Sequence, residues 1–391
     1  MKKILFIIDS LGIGGAEKSL VTLLSLLDYS RYEVDLQLFA HDGILKQFLP
    51  EKVHILPPLN YNRFLSQPIW RQLGHLSMLY ARLKYSLRIR KRALSNADIA
   101  VIYWKTIGRH ISYSKKKYDI ALAYGQGVPT YYTIDKITAK KKLAWINIDY
   151  RPSGPTLDFQ RIYYACCDRI VLVSEFVRNV FSDIFPEFAE KMYVCRDILD
   201  AEMIGRMSLL PTEKIINHTD PVLMTTGRLT QAQKGYDLAL ETAKILRDKG
   251  LRFRWYAIGD GPYRAEMERY ITSNDLQGYF ILLGSTANPY SYMRQCDVYV
   301  QTSRYEGYGL TLAEARILNR PVICTDFDGC RMQMIDGKNG LITSFEPKEI
   351  AEAIIRLLND KELYSRIQEY LKKERKGNVD EIRVFLKLLD V

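Results

Sequence analysis

The chain has 391 residues, of which 47% are apolar, and it carries a formal net charge of +11. This length exceeds the size at which one hydrophobic core keeps growing, so we expect two domains of ordinary size. No apolar run is long enough to cross a bilayer, and Asp9 interrupts the opening apolar run at residues 4–8. That run is therefore expected to be a buried strand and not a signal peptide or a membrane anchor.

Six cysteines lie mostly within or beside apolar segments, with no C-x-x-C spacing and no clustered histidines. This pattern favours reduced core thiols and argues against a structural zinc site. Reduced thiols in turn indicate the cytoplasm.

The positive charge is concentrated in one segment. Between Arg63 and Lys117 there are 13 lysines and arginines against one acidic residue, Asp98, which gives this segment a charge of +12. Nucleic acid could bind such a patch, but no recognition motif accompanies it. An anionic membrane surface therefore fits better as the partner of this basic region, residues 63–117.

The first part of the chain predicts strands that alternate with helices. A strand at 2–8 leads through the glycine-rich turn at 12–15 into a helix from about 16 to 27. The turn is not a dinucleotide fingerprint, because Glu17 stands where that pattern needs its third glycine. Further strands are predicted at 33–40, 53–56, 118–124, 142–148, 170–173 and 191–195.

A long helix is predicted over residues 69–94. Basic residues crowd its later part, and apolar residues recur along it at spacings of three or four: Ile69, Leu73, Leu76, Tyr80, Leu83 and Leu87. Such a helix can lie on a membrane with its basic side chains at the headgroups. The alternative is a domain helix whose apolar stripe packs on the sheet and whose basic face is only solvated.

The second part alternates strand and helix more regularly. We predict an N-terminal domain over residues 1–200, a polar linker over 201–221, a C-terminal domain over 222–375 and a C-terminal helix over 376–391.

The stretch 297–341 brings two carboxylates close together. Glu306 lies on a glycine-bracketed loop, and Glu314 lies just over one turn inside the following helix, so both can face one crevice. Gly307 and Gly309 let the backbone approach a ligand, and a helix start attracts an anion. Because a carboxylate repels phosphate, the two glutamates are expected to bind hydroxyl groups. The alternative is that both are solvated surface residues.

A second loop supplies positive charge. The predicted strand at 222–227 is followed by Arg228 and then by Lys234, which opens a helix. Both cations therefore lie at the carboxyl end of a strand, where open α/β sheets bind their ligands. Together with the carboxylates and the helix start, they describe a nucleotide sugar as the ligand.

These motifs resemble the retaining glycosyltransferases of family 4. Five segments match in order: GIGGAE (12–17), VSE (173–175), GRLTQAQKG (227–235), GDGP (259–262) and EGYGLTLAE (306–314). The resemblance covers nearly the whole chain. It implies an α/β fold of the GT-B type, with two Rossmann-like, doubly wound parallel-sheet domains and an inter-domain cleft. In this fold the C-terminal helix often packs back on the N-terminal domain.

The resemblance also implies roles for individual residues. Arg228, Lys234 and Glu306 are the catalytic residues implied: the two cations would stabilise the departing diphosphate, and Glu306 would hold hydroxyls of the donor sugar. Glu314 would hold the ribose diol. The other donor-binding residues implied are Gly14, Gly15, Gly284, Ser285, Gly307, Tyr308, Gly309, Leu310 and Thr311. For the turn at Gly14 and Gly15, a tight connection with no ligand is the alternative.

The sequence departs from the family at one position. Many relatives have a histidine near Asn147, which here can hydrogen-bond to the donor but cannot titrate. Asp149 is therefore included as a candidate catalytic residue, with a capping or turn aspartate as the alternative.

No cofactor or metal is expected. The segment 326–328 reads D-x-D, like a metal-binding motif of another transferase fold, but it follows a strand of a different architecture. We interpret it as a turn, with metal binding as the alternative.

The expected function is transfer of a hexose or N-acetylhexosamine from a nucleotide diphosphate sugar, a UDP-sugar by preference, to a lipid-linked saccharide. Family habit and the basic region suggest bacterial surface polysaccharide synthesis, such as capsule synthesis, at the inner face of the cell membrane. Two alternatives are a non-catalytic, nucleotide-sugar-binding partner of a transferase, which Asn147 favours, and a sugar-nucleotide 2-epimerase.

Overall fold

The computed structural model describes residues 1–12, 14–41, 43–90, 94–147, 155–212, 216 and 219–390, with the backbone alone for Ile69 and Asp390. The described residues form two compact units. Unit 1 consists of those in Met1–Gly12, Ala16–Asp197 and Glu381–Val391. Unit 2 consists of those in Ile13–Gly15 and Ile198–Asp380.

Each unit is built on one parallel sheet. In unit 1 the strands are β1 (Lys2–Ile8), β2 (Tyr32–Leu38), β3 (Val53–Ile55), β4 (Lys117–Ala123), β5 (Thr138–Ile146), β6 (Arg169–Leu172) and β7 (Met192–Val194). In unit 2 they are β8 (Val222–Thr226), β9 (Arg254–Ile258), β10 (Phe280–Gly284), β11 (Val298–Gln301), β12 (Val322–Thr325) and β13 (Gly340–Thr343). The spatial orders are β3-β2-β1-β4-β5-β6-β7 and β10-β9-β8-β11-β12-β13. The predicted pair of Rossmann-like parallel-sheet domains is confirmed.

Helices connect the strands. The helices between β1 and β7 are α1 (Gly15–Ser25), α2 (Asn60–Leu65), α3 (Ile69–Gln72), α4 (Leu76–Ile89), α5 (Asn96–Ile107), α6 (Val128–Lys136), α7 (Pro155–Ala165) and α8 (Glu175–Ile184). The remaining helices are α9 (Ala201–Ser208), α10 (Tyr236–Asp248), α11 (Arg264–Ser273), α12 (Tyr290–Met293), α13 (Leu310–Ile317), α14 (Pro347–Asn359), α15 (Lys361–Lys373) and α16 (Ile382–Asp390). Short 3-10 turns lie at Ile44–Phe48, Gly108–His110, Pro186–Lys191, Cys330–Met332 and Val379–Glu381.

The sheet of unit 2 is covered on both faces. Successive residues of β9 alternate between two apolar clusters: Trp255 and Ala257 belong to one, and Tyr256 and Ile258 belong to the other. This alternation follows from the two-residue period of a strand. Polar groups needed for chemistry are therefore expected at the strand ends and not on the faces.

The last helix, α16, belongs to unit 1. Phe385 is fully buried, with its ring centroid 6.1 Å from that of Phe6 and 6.0 Å from that of Trp145. Lys2 and Arg169 donate hydrogen bonds to the carbonyl groups of Leu389 and Leu388, which lie in its last turn. Cationic donors at a helix C-terminus satisfy carbonyl groups that have no partner within the helix.

The predicted single helix over 69–94 is wrong. The structure has two helices, α3 and α4, because Gly74 follows the first and its N–H bonds back to the carbonyl of Arg71. Glycine is a poor helix former, and here it allows the chain to turn. Residues 91–93 lie outside the described part of the chain.

The segment 201–221, predicted as a linker, contains α9 and groups with unit 2. The Asp200 side chain caps this helix by accepting hydrogen bonds from the N–H groups of Glu202 and Met203. Ile204 is buried in one of the two apolar clusters of unit 2. A cap followed by a buried apolar residue favours a helix in spite of the polar composition. Residues 213–215, 217 and 218 lie outside the described part.

Among the described residues, no helix combines the length and the apolar character needed to cross a membrane. All six cysteines are free thiols; five are buried, as predicted, and Cys166 is exposed.

Candidate active site

The strand order of unit 2 creates a crevice in which a ligand can bind. From β8 the chain runs through α10 to β9 on one side, and from β11 it runs through α13 to β12 on the other side. Since β8 and β11 are neighbours, the loops after them diverge at a topological switch point. Ligands of open α/β sheets bind in the crevice at such a point. Lys234 follows β8, and Glu306 follows β11.

Backbone contacts fix these two loops against each other. Gly235 has a φ of +62°, and a Cβ on this residue would lie 2.0 Å from the carbonyl oxygen of Thr302. The Thr302 hydroxyl donates to the Lys234 carbonyl at 3.1 Å. Arg304 binds both carboxylate oxygens of Asp237, at 2.8 and 2.7 Å. A residue with a side chain at position 235 would separate the loops, so glycine is needed there.

This alignment produces an ion pair. The Nζ atom of Lys234 lies 2.6 Å from Oε1 of Glu306, and the two side chains are 18% and 8% exposed. Oε1 also accepts hydrogen bonds from Gln301 at 3.1 Å and Ser303 at 2.6 Å. All three bonds end on Oε1, so among the described residues Oε2 accepts none. One carboxylate oxygen thus holds the loop in place while the other can accept a hydrogen bond from a ligand.

The network continues to the start of α13. Gln301 donates to Glu306 and accepts a hydrogen bond from the Thr311 hydroxyl at 2.7 Å. Gly309 precedes the helix in the left-handed conformation, with a φ of +78°. The first N–H groups of a helix have no partner within it and carry a partial positive charge. Lys234 and this helix start therefore supply positive potential in one network.

Arg228 lies on the same loop as Lys234 but makes no ion pair with a described residue, and its side chain is exposed. Next to it, a Cβ on Gly227 would lie 3.3 Å from Cε of Lys234. The GDGP loop closes on the other side, since a Cβ on Gly259 would lie 1.9 Å from the Gly227 carbonyl oxygen. Arg228 thus extends from a tightly packed backbone.

Glu314, on α13, is almost completely buried. It is 1% exposed, and the Tyr290 hydroxyl donates to its Oε1 atom at 2.9 Å. Burial and the neighbouring carboxylate raise the pKa of Tyr290 far above its ordinary value, so this hydroxyl remains a donor. The alternative in which Glu314 is a solvated surface residue is therefore wrong.

The other predicted donor-binding residues of unit 2 lie at the end of β10, on the loop before α13 or in the first turn of α13. Gly284 ends β10 with a φ of +83°, and Ser285 beside it is exposed. Gly307, Tyr308, Leu310 and Thr311 are partly buried, and Gly309 is buried. Gln333 donates a hydrogen bond to the Tyr308 carbonyl, and this bond helps to fix the loop before α13.

The predicted site residues in the first part of the chain do not all group with the same unit. Gly14 and Gly15 group with unit 2, where a Cβ on Gly15 would lie 2.7 Å from Cδ1 of Leu310. Asn147 directly follows β5 in unit 1. Its backbone N–H donates to Gln126, and its Nδ2 atom lies 3.5 Å from the Tyr124 carbonyl oxygen. Its Oδ1 atom is buried and has no partner among the described residues. Asp149 lies outside the described residues.

The D-x-D segment lies between β12 and the 3-10 turn at Cys330–Met332, and its first carboxylate is already paired. Arg331 binds Asp326 at 3.1 and 2.6 Å, and Asp328 forms a β-bridge with Tyr305. The described residues contain no group of three or more His, Cys, Asp or Glu side chains arranged to hold a metal ion.

Sequence reasoning missed four residues of this network: Gln301, Ser303, Tyr290 and Gln333. A signal existed for the first two, because Gln301 and Ser303 are polar residues at the end of an otherwise apolar strand. The other two come from segments with no motif of their own.

The chain is similar in sequence to known glycosyltransferases. Residues 210–374 match the family model described as glycosyl transferases group 1. Over 389 residues the chain is 24% identical to the Campylobacter jejuni N-acetylgalactosamine-N,N'-diacetylbacillosaminyl-diphospho-undecaprenol 4-alpha-N-acetylgalactosaminyltransferase, covering 98% of this chain and 97% of that protein. Over 152 residues it is 30% identical to the Streptomyces kanamyceticus alpha-D-kanosaminyltransferase, covering 38% and 39%. The chain spans about half the length, 29% to 64%, of four curated relatives that it matches.

A similar fold occurs in the crystal structure of Anabaena HepE in complex with UDP and glucose. The TM-score is 0.68 at 19% identity, with 100% of both chains covered. At this identity the likeness shows the fold alone, and it confirms the GT-B fold class.

Proposed function

We propose that the protein is a retaining glycosyltransferase that uses a nucleotide diphosphate sugar as donor, with UDP as the nucleotide. The observation that carries this proposal is the network at the switch point of unit 2, where the Lys234–Glu306 pair is joined through Gln301 to the start of α13. The Lys234 cation and the start of α13 suit a diphosphate, and the Glu306 carboxylate suits the hydroxyl groups of an adjoining sugar. The match of residues 210–374 to the group 1 family supports it, as does the fold shared with a UDP-bound protein.

In the proposed reaction the bond between the anomeric carbon and the diphosphate oxygen breaks, and negative charge develops on that oxygen. Lys234, Arg228 and the N–H groups at the start of α13 stabilise this charge more in the transition state than in the bound donor. Glu306 accepts hydrogen bonds from donor-sugar hydroxyls through Oε2, and Glu314 accepts them from the ribose.

Retention of the anomeric configuration requires the acceptor hydroxyl to attack from the side that the diphosphate leaves. A bond then forms from the acceptor oxygen to the anomeric carbon, and the acceptor proton passes to the departing diphosphate. No carboxylate nucleophile and no metal ion take part in this scheme. Asn147 holds the donor sugar as a neutral hydrogen-bonding group, and Asp149 stays a candidate for an acid–base role.

The proposed donor sugar is a hexose or N-acetylhexosamine, and the proposed acceptor is a lipid-linked saccharide of a bacterial surface polysaccharide. The Campylobacter relative, whose name specifies transfer of N-acetylgalactosamine to a saccharide on diphospho-undecaprenol, supports this choice. Such an acceptor would place the enzyme at the inner face of the cell membrane.

The test is nucleotide release from a panel of UDP-sugars, with and without an undecaprenyl-diphosphate-linked saccharide. We expect UDP release that depends on the acceptor, and a product whose mass increases by one sugar. Arg228→Ala should lower turnover about a hundredfold, whereas Arg331→Ala, a matched exposed arginine paired with Asp326, should not. UDP binding without product would favour a non-catalytic partner, and conversion of the UDP-sugar without acceptor would favour an epimerase.

A further inference from the structure

Helix α4 presents an apolar stripe to solvent. Its members Leu76, Tyr80, Leu83 and Leu87 recur at spacings of three or four, so they share one side of the helix. They are 50% to 72% exposed. Just before the helix, Trp70 and Leu73 are exposed to a similar degree. These six side chains are called the α4 stripe below.

The opposite side of α4 holds the helix on unit 1. Ala81 is fully buried, and Met78, Leu79 and Tyr85 pack against the core cluster there. The alternative in which the apolar stripe packs on the sheet is therefore wrong, because the stripe is exposed and different residues of α4 pack on the core of unit 1. Contiguous exposed apolar side chains of this kind mark an interaction surface.

The surroundings of the α4 stripe identify its partner by charge. Arg71 on α3 and Arg82, Arg88 and Arg90 on or directly after α4 are exposed, and they belong to the segment of residues 63–117 with a charge of +12. An anionic bilayer offers an apolar interior and negative headgroups at adjacent depths, which matches a stripe flanked by arginines. A second copy of the chain would bring two strongly positive segments together, which is repulsive.

We propose that α4 lies in the interface of an anionic bilayer, with the α4 stripe at the boundary of the acyl chains and the arginines at the lipid phosphates. Binding combines apolar insertion with charge attraction, so salt weakens it without abolishing it. The inference rests on the proposed function only in that a lipid-linked acceptor would lie in the same bilayer.

The experiment is cosedimentation of the full chain with vesicles of phosphatidylcholine, alone or mixed with phosphatidylglycerol. The wild type should bind the mixed vesicles more tightly. A double variant, Leu76→Ser with Leu83→Ser, should lower the partition coefficient about tenfold or more, since two exposed leucines no longer enter the bilayer. The matched control is Leu209→Ser with Leu210→Ser, at two leucines of unit 2 that are 67% and 54% exposed, and it should bind like the wild type.

UDP binding, measured by calorimetry on the same preparations, separates this inference from the proposed function. We expect equal UDP affinity in the wild type and both double variants. The inference is wrong if the wild type stays in the supernatant with mixed vesicles, or if the Leu76/Leu83 variant partitions like the control. It is also wrong if light scattering shows that this variant only breaks a wild-type dimer, because the partner would then be a second copy. If the wild type does not bind UDP, the proposed function is wrong instead.

Discussion

Replacement of Lys234 by methionine tests the central ion pair. Methionine keeps most of the aliphatic stem, which packs beside Gly227, and removes the charge that lies 2.6 Å from Glu306 Oε1. The backbone contacts that align the two loops do not involve the ammonium group. The variant therefore changes charge with little change in packing.

The structure sets the size of the expected effect on folding. A charge-assisted hydrogen bond contributes about 1.5–3 kcal/mol, and removing one partner of a fully buried pair costs about 3–5 kcal/mol. The pair here is 18% and 8% exposed, and Gln301 and Ser303 still donate to the carboxylate after Lys234 is replaced. We therefore expect the free energy of unfolding to fall by about 2 kcal/mol, which lies within the range for one charge-assisted hydrogen bond and below the cost of breaking a fully buried pair.

The effect on catalysis should be larger than the effect on folding. If Lys234 stabilises the departing phosphate, Lys234→Met lowers turnover about a hundredfold or more. Urea denaturation gives the first quantity, and UDP release from the preferred donor gives the second. Lys348→Met, at an exposed lysine on α14, is the matched control for both measurements. Retention of a third of the wild-type turnover by Lys234→Met would refute the role in leaving-group stabilisation.

Three further predictions concern single side chains. Phe385→Ala should lower the free energy of unfolding by about 3–5 kcal/mol in urea denaturation, because the ring is fully buried; a loss under about 1 kcal/mol would mean that α16 adds little to unit 1. Glu314→Ala should weaken UDP binding in calorimetry by about 2 kcal/mol, and equal affinity would remove Glu314 from the site. Burial alone would raise the pKa of Asp35, but hydrogen bonds from three neighbours hold it below the ordinary value. Its stabilising effect is therefore present above the unfolded-state pKa, about 3.9, and is lost as the pH falls through the folded-state pKa. In thermal unfolding, Asp35→Asn should lose less stability on acidification than the wild type does. Parallel plots of stability against pH for the two proteins would contradict this.

The fold class was predictable because it depends on local patterns. A strand buried on both faces reads as an apolar run, as residues 4–8 do, and the alternation of such runs with helices leaves a parallel sheet as the main solution. The breaks inside helices were less visible. Gly74 interrupts a segment whose apolar period continues across it, so periodicity alone does not show the break between α3 and α4.

The site was predictable where a residue type and its strand position carry the information. Lys234 and Glu306 follow strands that the sequence already located, and the two loops meet because β8 and β11 are neighbours. The hydrogen bonds that orient them were not predictable. Gln301, Ser303 and Gln333 act through the geometry of packed loops, which depends on contacts between segments distant in the chain.

The two glutamates of the site show what that geometry adds. The sequence treats Glu306 and Glu314 alike, as acceptors for ligand hydroxyls. In the structure, Glu306 uses one oxygen to bind Lys234, Gln301 and Ser303 and leaves the other without a bond to a described residue, while Glu314 is buried beneath Tyr290. A carboxylate held by three donors loses little conformational entropy when it binds a ligand, because its rotamer is already fixed. Under the proposed function Glu306 would therefore be preorganised for the donor sugar, and Lys234 would supply both that preorganisation and the positive charge next to it.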